Sequence, residues 1–178
     1  PCRKQLSQEL HIGLLQKMSA MRLHQRAYAQ ALPLQQELLT LPLEPANYQT
    51  TLLSATESAL QAGQYEWVIK VVTPQLDKSK GWSQEQLDRL TCRLATSYVK
   101  TGRGNQIELL LKPLVARIET HAGTQGTLLL AQYYVSNKIQ QSYSKQLLDK
   151  LVNDAYPDPE LSAETIITLS DWYLAKGD

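Results

Sequence analysis

Apolar residues recur along this chain in steps of three and four. Leu87, Leu90, Leu94, Ala95 and Tyr98 fall on one helical face at that spacing, and so do Ile107, Leu110, Leu111, Leu114 and Ile118. No stretch shows sustained alternation with β-branched enrichment, so strands are not expected. Punctuation falls between the helical runs: Pro42 and Pro45 in one gap, Gly81 in a second, Gly123 and Gly126 in a third, Pro157 and Pro159 in a fourth. Ser83 followed by Gln86 predicts a capping box. Asp158 before Pro159 predicts an N-cap with proline at the first helical position. The pattern predicts an all-α chain.

The helical runs repeat. LATSYVKTG at 94–102, LAQYYVSNK at 130–138 and LSDWYLAKG at 169–177 superimpose as Leu, small residue, two variable positions, Tyr, aliphatic, two variable positions and a turn residue. ATESALQAG at 55–63 fits more loosely, with Ala59 in the tyrosine slot. A fifth copy is visible through its second half, where Arg26 to Ala31 parallels Gly63 to Val68. The turn residues are then Arg26, Gly63, Gly102, Lys138 and Gly177, at intervals of 37, 39, 36 and 39. Periods of this length mean stacked supersecondary units. A small residue (Ala95, Ala131, Ser170) lets a partner helix approach closely, the tyrosine one turn on fills the space beside it, and the turn residue reverses the chain. A lone helix pair cannot bury its apolar stripe, so neighbouring pairs must share one core.

These strings resemble the tetratricopeptide repeat family, whose signature combines Leu-small-x-x-Tyr with a later Gly-x-Tyr-x-x-small. The resemblance covers essentially the whole chain. It is divergent: the intervals exceed the family's usual length of about 34, the early Trp is absent, and the late aromatic is aliphatic (Val72, Leu111). Pro74 and Pro113 each fall eleven residues after their glycine, where they would bend or stop the second helix. The resemblance implies an α-α superhelix, or solenoid, of about four antiparallel helix pairs plus one extra C-terminal helix. The expected repeats are residues 5–42, 43–80, 81–120 and 121–157, with a half-repeat at 158–178; an ordinary non-repeating helical bundle is the rival. Because the last copy stops after its first helix (about residues 159–176) and turn glycine, we expect a piece of a longer protein.

Composition narrows what such an array does. Of 178 residues, 43% are hydrophobic and 20% charged, with a net charge of +1, so a disordered chain is excluded and no nucleic-acid binder is expected. No apolar run approaches a membrane span, so no direct membrane insertion is expected. The chain starts at Pro1 without a signal peptide, and both a periplasmic and a cytoplasmic location stay open. His11, His24 and His121 lack the spacing of a helical metal site and read as solvated or turn residues. Cys92, beside Arg93, is either a thiolate stabilised by charge or a half-buried filler, and the second reading is favoured. Gly102-Arg103-Gly104 lacks the strand and the lysine of a phosphate loop and reads as a repeat turn. Carboxylates look thinly spread, with no pair placed for acid–base work. Trp67, Trp82 and Trp172 could stack bases, yet they sit at packing slots without a basic stripe. No enzyme, cofactor or metal is expected.

In stacked helix pairs the first helices line the concave side. Their polar positions, read from the aligned copies, are Gln16 and His24, then Glu57 and Gln61, then Arg89, Thr96 and Lys100, then Gln132 and Ser136, and finally Asp171. The middle of this surface reads as positive and its last copy as acidic, which would suit a peptide with carboxylates near its centre. The expected function is a non-catalytic protein–protein interaction scaffold within a larger, bacterial assembly- or export-related protein, holding a partner segment along the concave face. The alternative is a ligand- or peptide-sensing regulatory domain of a larger signalling or transcription protein, and a third is a spacer. Some tetratricopeptide proteins clamp a chaperone's C-terminal carboxylate with groove lysines and asparagines. Here Lys100 occupies a suitable slot, but the paired asparagine and second lysine are missing.

Overall fold

The computed structural model describes residues 2–78 and 80–176, with side chains from Ser7 onward. Among the described residues there are nine α-helices and no strand. In chain order they are α1 (Cys2–His24), α2 (Tyr28–Leu38), α3 (Pro45–Gln61), α4 (Tyr65–Asp77), α5 (Gln84–Lys100), α6 (Ile107–Val115), α7 (His121–Asn137), α8 (Gln141–Asp154) and α9 (Pro159–Lys176). A single 3₁₀ turn, Gly104–Gln106, leads into α6. Each helix packs on its neighbour in sequence, and the first helices α3, α5, α7 and α9 also lie side by side. Each of the four full repeat ranges read from the sequence coincides with one helix pair, except that α1 begins three residues earlier, at Cys2, and α9 stands in the fifth.

The strongest structural mark of repetition is in the turns. Arg26, Gly63, Gly102 and Lys138 all adopt positive φ, at 54°, 71°, 75° and 55°. At each turn the same two backbone bonds close the preceding helix. The turn residue's N–H donates three residues back, to Leu23, Leu60, Val99 and Val135; the next N–H donates five back, to Arg22, Ala59, Tyr98 and Tyr134. This is the Schellman pattern, which satisfies carbonyls that a helix end would otherwise leave unpaired. The five-back acceptors at Ala59, Tyr98 and Tyr134 are the tyrosine slot of the repeat. Glycine takes the left-handed conformation freely at 63 and 102, whereas Arg26 and Lys138 carry a Cβ through it. Gly177, the fifth turn residue, lies outside the described residues.

The helix starts follow local chemistry. Ser83 Oγ accepts from Gln86 N–H at 3.2 Å while Gln86 Oε1 accepts from Ser83 N–H at 2.9 Å, completing the predicted capping box. Asp158 Oδ1 accepts from the N–H groups of Glu160 and Leu161 at 2.9 and 3.0 Å and caps α9. Thr120 Oγ1 caps α7 by accepting from Gly123 N–H at 3.0 Å. Pro74 and Pro113 lie inside α4 and α6, and each helix ends within three residues, at Asp77 and Val115. Both prolines therefore sit close to the stop that their missing N–H favours.

Two apolar clusters make the core, and α5 belongs to both. Leu90 and Leu94 pack with Ala55, Ala59, Val68 and Val72. Cys92 and Ala95, on the other side of α5, pack with Leu111, Leu114, Leu130, Ala131 and Tyr134. Each fully buried leucine contributes about 1.5–3 kcal/mol. A half-buried ion pair fixes the chain between α6 and α7: Arg117 Nε and Nη2 donate to Asp88 Oδ2 and Oδ1 at 3.0 and 2.7 Å. Gln84 Nε2 also donates to Asp88 Oδ1, at 2.8 Å, so the carboxylate, itself buried, is well satisfied.

Candidate functional site

Side-by-side packing of the first helices opens a groove of about 830 Å³ whose wall runs from the end of α3 across α5 and α7 to α9. The spacing of residues on each helix decides which side chains reach it. On α5, Leu94 and Ala95 turn into the core, which leaves Thr96, Val99 and Lys100 for the groove. On α7, Leu130 and Ala131 are buried while Gln132 and Ser136 face outward into it. On α9 the exposed turns bring Glu164 and Asp171 to the opposite wall, with Glu160 and the capping Asp158 at its start.

Six of the eight residues singled out from the sequence line this groove: Gln61, Thr96, Lys100, Gln132, Ser136 and Asp171. The other two do not. Arg89 lies off the groove, with Nη2 2.6 Å from Glu85 Oε1 on its own helix, an exposed pair one turn apart. Glu57 is held by Arg93, whose Nη2 lies 3.2 Å from Glu57 Oε2. Gln61 Nε2 also donates to Glu57 Oε1 at 3.1 Å. Of the first-repeat positions, Gln16 lines a separate cleft of about 190 Å³ between α1, α2 and α3, beside Gln35 and Ser54. His24 is exposed at the end of α1 and lines neither.

These placements keep the acidic last copy read from the sequence and reduce the positive middle to Lys100. With Arg89 outside, Lys100 is the one lysine or arginine among the described residues that line the groove, against the carboxylates of Asp158, Glu160, Glu164 and Asp171. The carboxylates are not thinly spread: the fold gathers these four along one wall. They fall on α9 and its cap, mostly upstream of the repeated string, so motif alignment picked out Asp171 alone. Asp158 is committed to its cap, and His121 Nε2 lies 3.4 Å from its Oδ2. Glu164 Oε2 accepts from Gln132 Nε2 at 3.5 Å across α7 and α9. Glu160 and Asp171 have no ion pair among the described residues.

Arg93 is the functional-looking residue that sequence reading passed over. Its side chain is largely buried against α3, where Nη1 donates to Thr56 Oγ1 at 2.8 Å and also to the Leu53 carbonyl. Burial lowers its pKa and the Glu57 charge opposes that shift. It is a structural tie between first helices. A signal was present, because the matching position on α7 is Leu129, and a charge in an apolar slot demands a partner.

The other chemical candidates resolve into packing. Cys92 is fully buried, not half-buried, and its Sγ donates to the Ala122 carbonyl at 3.3 Å. Burial pushes the thiol up to about 12, with Asp88 adding to the shift and Arg93 opposing it, so a charge-stabilised thiolate does not form. At Gly102-Arg103-Gly104 the first glycine makes the turn. The second lies under Tyr133, whose ring would stand 2.3 Å from an added Cβ. Trp172 is buried with Nε1 donating to the Gln141 carbonyl at 3.1 Å, and Trp67 and Trp82 pack on the first core cluster. No group of three or more metal-ligating side chains occurs among the described residues. No helix there is long and apolar enough to cross a membrane.

Comparison with protein-family models, with curated proteins and with solved structures finds no match. Function is therefore argued from the groove itself.

Proposed function

We propose that this chain is a non-catalytic, tetratricopeptide-like interaction scaffold whose groove holds a cationic segment of a partner protein. The observation that carries this reading is the acidic wall of α9, with four carboxylates facing the groove against the single Lys100. Opposite charge across a groove steers encounter and fixes register, while the apolar floor at Val99, Leu129 and Ile167 takes the partner's uncharged side chains. Glu160 and Asp171 are the anchors, because neither has an ion pair among the described residues. The amides of Gln61, Gln125 and Gln132 supply donors and acceptors for an extended backbone.

The test is fluorescence anisotropy with two labelled peptides of equal length, one carrying lysines between apolar residues and the other glutamates at the same places. The lysine peptide is expected to bind about tenfold tighter or more at low salt. Glu160→Gln/Asp171→Asn weakens it, Lys100→Glu strengthens it, and Arg89→Glu leaves it unchanged. Tighter binding of the glutamate peptide, or indifference to the α9 variant, overturns the reading.

A further inference from the structure

The junction between the first two helix pairs departs from the repeat at two aligned positions, and both departures meet in one cleft. Counting back nine residues from the turn residues Gly63, Gly102 and Lys138 gives Ser54, Arg93 and Leu129 on α3, α5 and α7. Arg93 reaches back to α3 and ties Thr56 Oγ1 and Glu57, and Leu129 packs on the apolar core. Ser54 is too short to do either for α1. Counting forward nine residues from Arg26 and the same three turns gives Gln35, Val72, Leu111 and Leu147. The last three are buried aliphatic side chains, whereas Gln35 is an amide buried just as deeply, at 1% exposure. α1 and α3 both pack on α2, and the cleft of about 190 Å³ between them is lined by Gln35 and Ser54 together with Gln16 and Ser19. Gln35 Nε2 donates to Ser54 Oγ at 2.8 Å, while Gln35 Oε1 has no hydrogen-bond partner among the described residues. A buried amide with one atom unpaired is costly in a slot that takes valine or leucine elsewhere.

We infer that this cleft is a second recognition site, separate from the acidic groove, which takes the uncharged carboxamide of a glutamine or asparagine side chain on a partner protein. The next junction shows what a side chain entering between first helices meets. There the Thr56 hydroxyl and the Glu57 carboxylate hold Arg93. The α1 residues at those two positions are Ser19 and Ala20, so the hydroxyl is kept and the carboxylate is lost. A cation seated in the cleft therefore lacks a counter-charge, and no lysine, arginine or histidine lines it to hold an anion. A carboxamide fits because it is neutral and brings both kinds of hydrogen-bonding atom. Its NH2 donates to Gln35 Oε1, and its carbonyl accepts from the hydroxyls of Ser19 and Thr51 on the walls. Turning the Gln35 amide over exchanges its carbonyl and NH2, and a carboxamide pairs with either. Leu23 and Leu38 cover the methylene groups behind it. Size agrees as well, since pockets for drug-sized molecules run from roughly 300 to 1,000 Å³ and this cleft is smaller.

The experiment titrates the isotopically labelled full chain with four blocked amino acids, the N-acetyl methylamides of glutamine, glutamate, lysine and leucine, and follows amide chemical shifts. The glutamine probe is expected to shift Ser19, Gln35 and Ser54 saturably and to bind about tenfold tighter or more than the other three. Ser54→Leu installs the side chain that α7 carries at this position and is expected to abolish the shifts. Gln35→Leu restores the aliphatic slot and should leave glutamine binding no tighter than leucine. Circular dichroism checks both folds, and Ser54→Val or Gln35→Val replaces a variant that unfolds. Absence of a saturable shift with the glutamine probe, the result for a cleft that holds water only, overturns the inference. Equal binding of all four probes overturns it too, as does a folded Ser54→Leu chain that binds glutamine as the wild type does.

Discussion

α7 and α9 carry the same repeat pattern, LAQYYVSNK at 130–138 and LSDWYLAKG at 169–177, yet they live in different surroundings. In α7 the leucine, the small residue and the second aromatic (Leu130, Ala131, Tyr134) are all buried. In α9 their counterparts are half-buried Leu169, exposed Ser170 and Tyr173 at 41% exposure, and its burial rests instead on Trp172, Thr165, Thr168 and Leu161. One motif therefore performs two tasks, filling a core where a second helix covers it and presenting an apolar surface where none does. A repeat motif encodes a helix with a packing face; the neighbours decide whether that face is core or surface.

Substitutions at matched positions sharpen the contrast. Tyr134→Ala should destabilise the fold by about 3–5 kcal/mol through the cavity it leaves, against less than about 1 kcal/mol for Tyr173→Ala. Urea unfolding followed by circular dichroism measures both, and equal losses would mean that the two slots are not differently covered. Gly123→Ala should lose about 3 kcal/mol, because its Cβ would fall 1.8 Å from the Arg117 carbonyl oxygen. At the corresponding Ser162, which is exposed, alanine should change stability by no more than about 0.5 kcal/mol.

The caps should not show the contrast. Thr120→Ala and Asp158→Ala each remove a side-chain acceptor from the first turn of a helix and should cost about 1 kcal/mol alike. A smaller effect of opposite sign is expected at the end of α7. Lys138→Gly relieves a left-handed residue, and thermal unfolding should show a gain of up to about 1 kcal/mol.

The core behind α7 also predicts a pH dependence. Cys92 has a folded pKa of about 12 against an ordinary value of 9.0, so the folded state keeps its proton where the unfolded state loses it. Its contribution to stability is intact below pH 9.0 and is lost progressively as pH rises toward about 12. In a Cys2→Ser background the remaining thiol should resist thiol reagents at neutral pH until the chain is unfolded.

Much of the fold was legible because local rules and long-range packing agree. The spacing of Leu87 to Tyr98 and Ile107 to Ile118 marks α5 and α6, the Ser83–Gln86 pair marks a helix start, and α9 spans Pro159–Lys176 as expected. Four turn residues aligned by sequence all adopt the same left-handed Schellman geometry. Six of eight chosen residues line the groove, and the acidity of its last copy was legible, whereas its positive middle reduces to Lys100. Arg89 was counted as a groove cation because its aligned slot is polar, but the nearby Glu85 on the same helix face captures it. Glu57 reads as a groove position from the aligned copies, but its partner, Arg93, belongs to the next helix pair. Ion pairing between repeats depends on neighbours across 36 residues of sequence, which periodicity cannot register.

The most direct test of the groove as the binding surface is a titration of isotopically labelled chain with the lysine peptide, read by amide chemical shifts. The account predicts shifts concentrated at Lys100, Gln132, Ser136, Glu164 and Asp171, with α4, α6 and α8 largely still. Shifts confined to those second helices, with the groove residues unmoved, would contradict it.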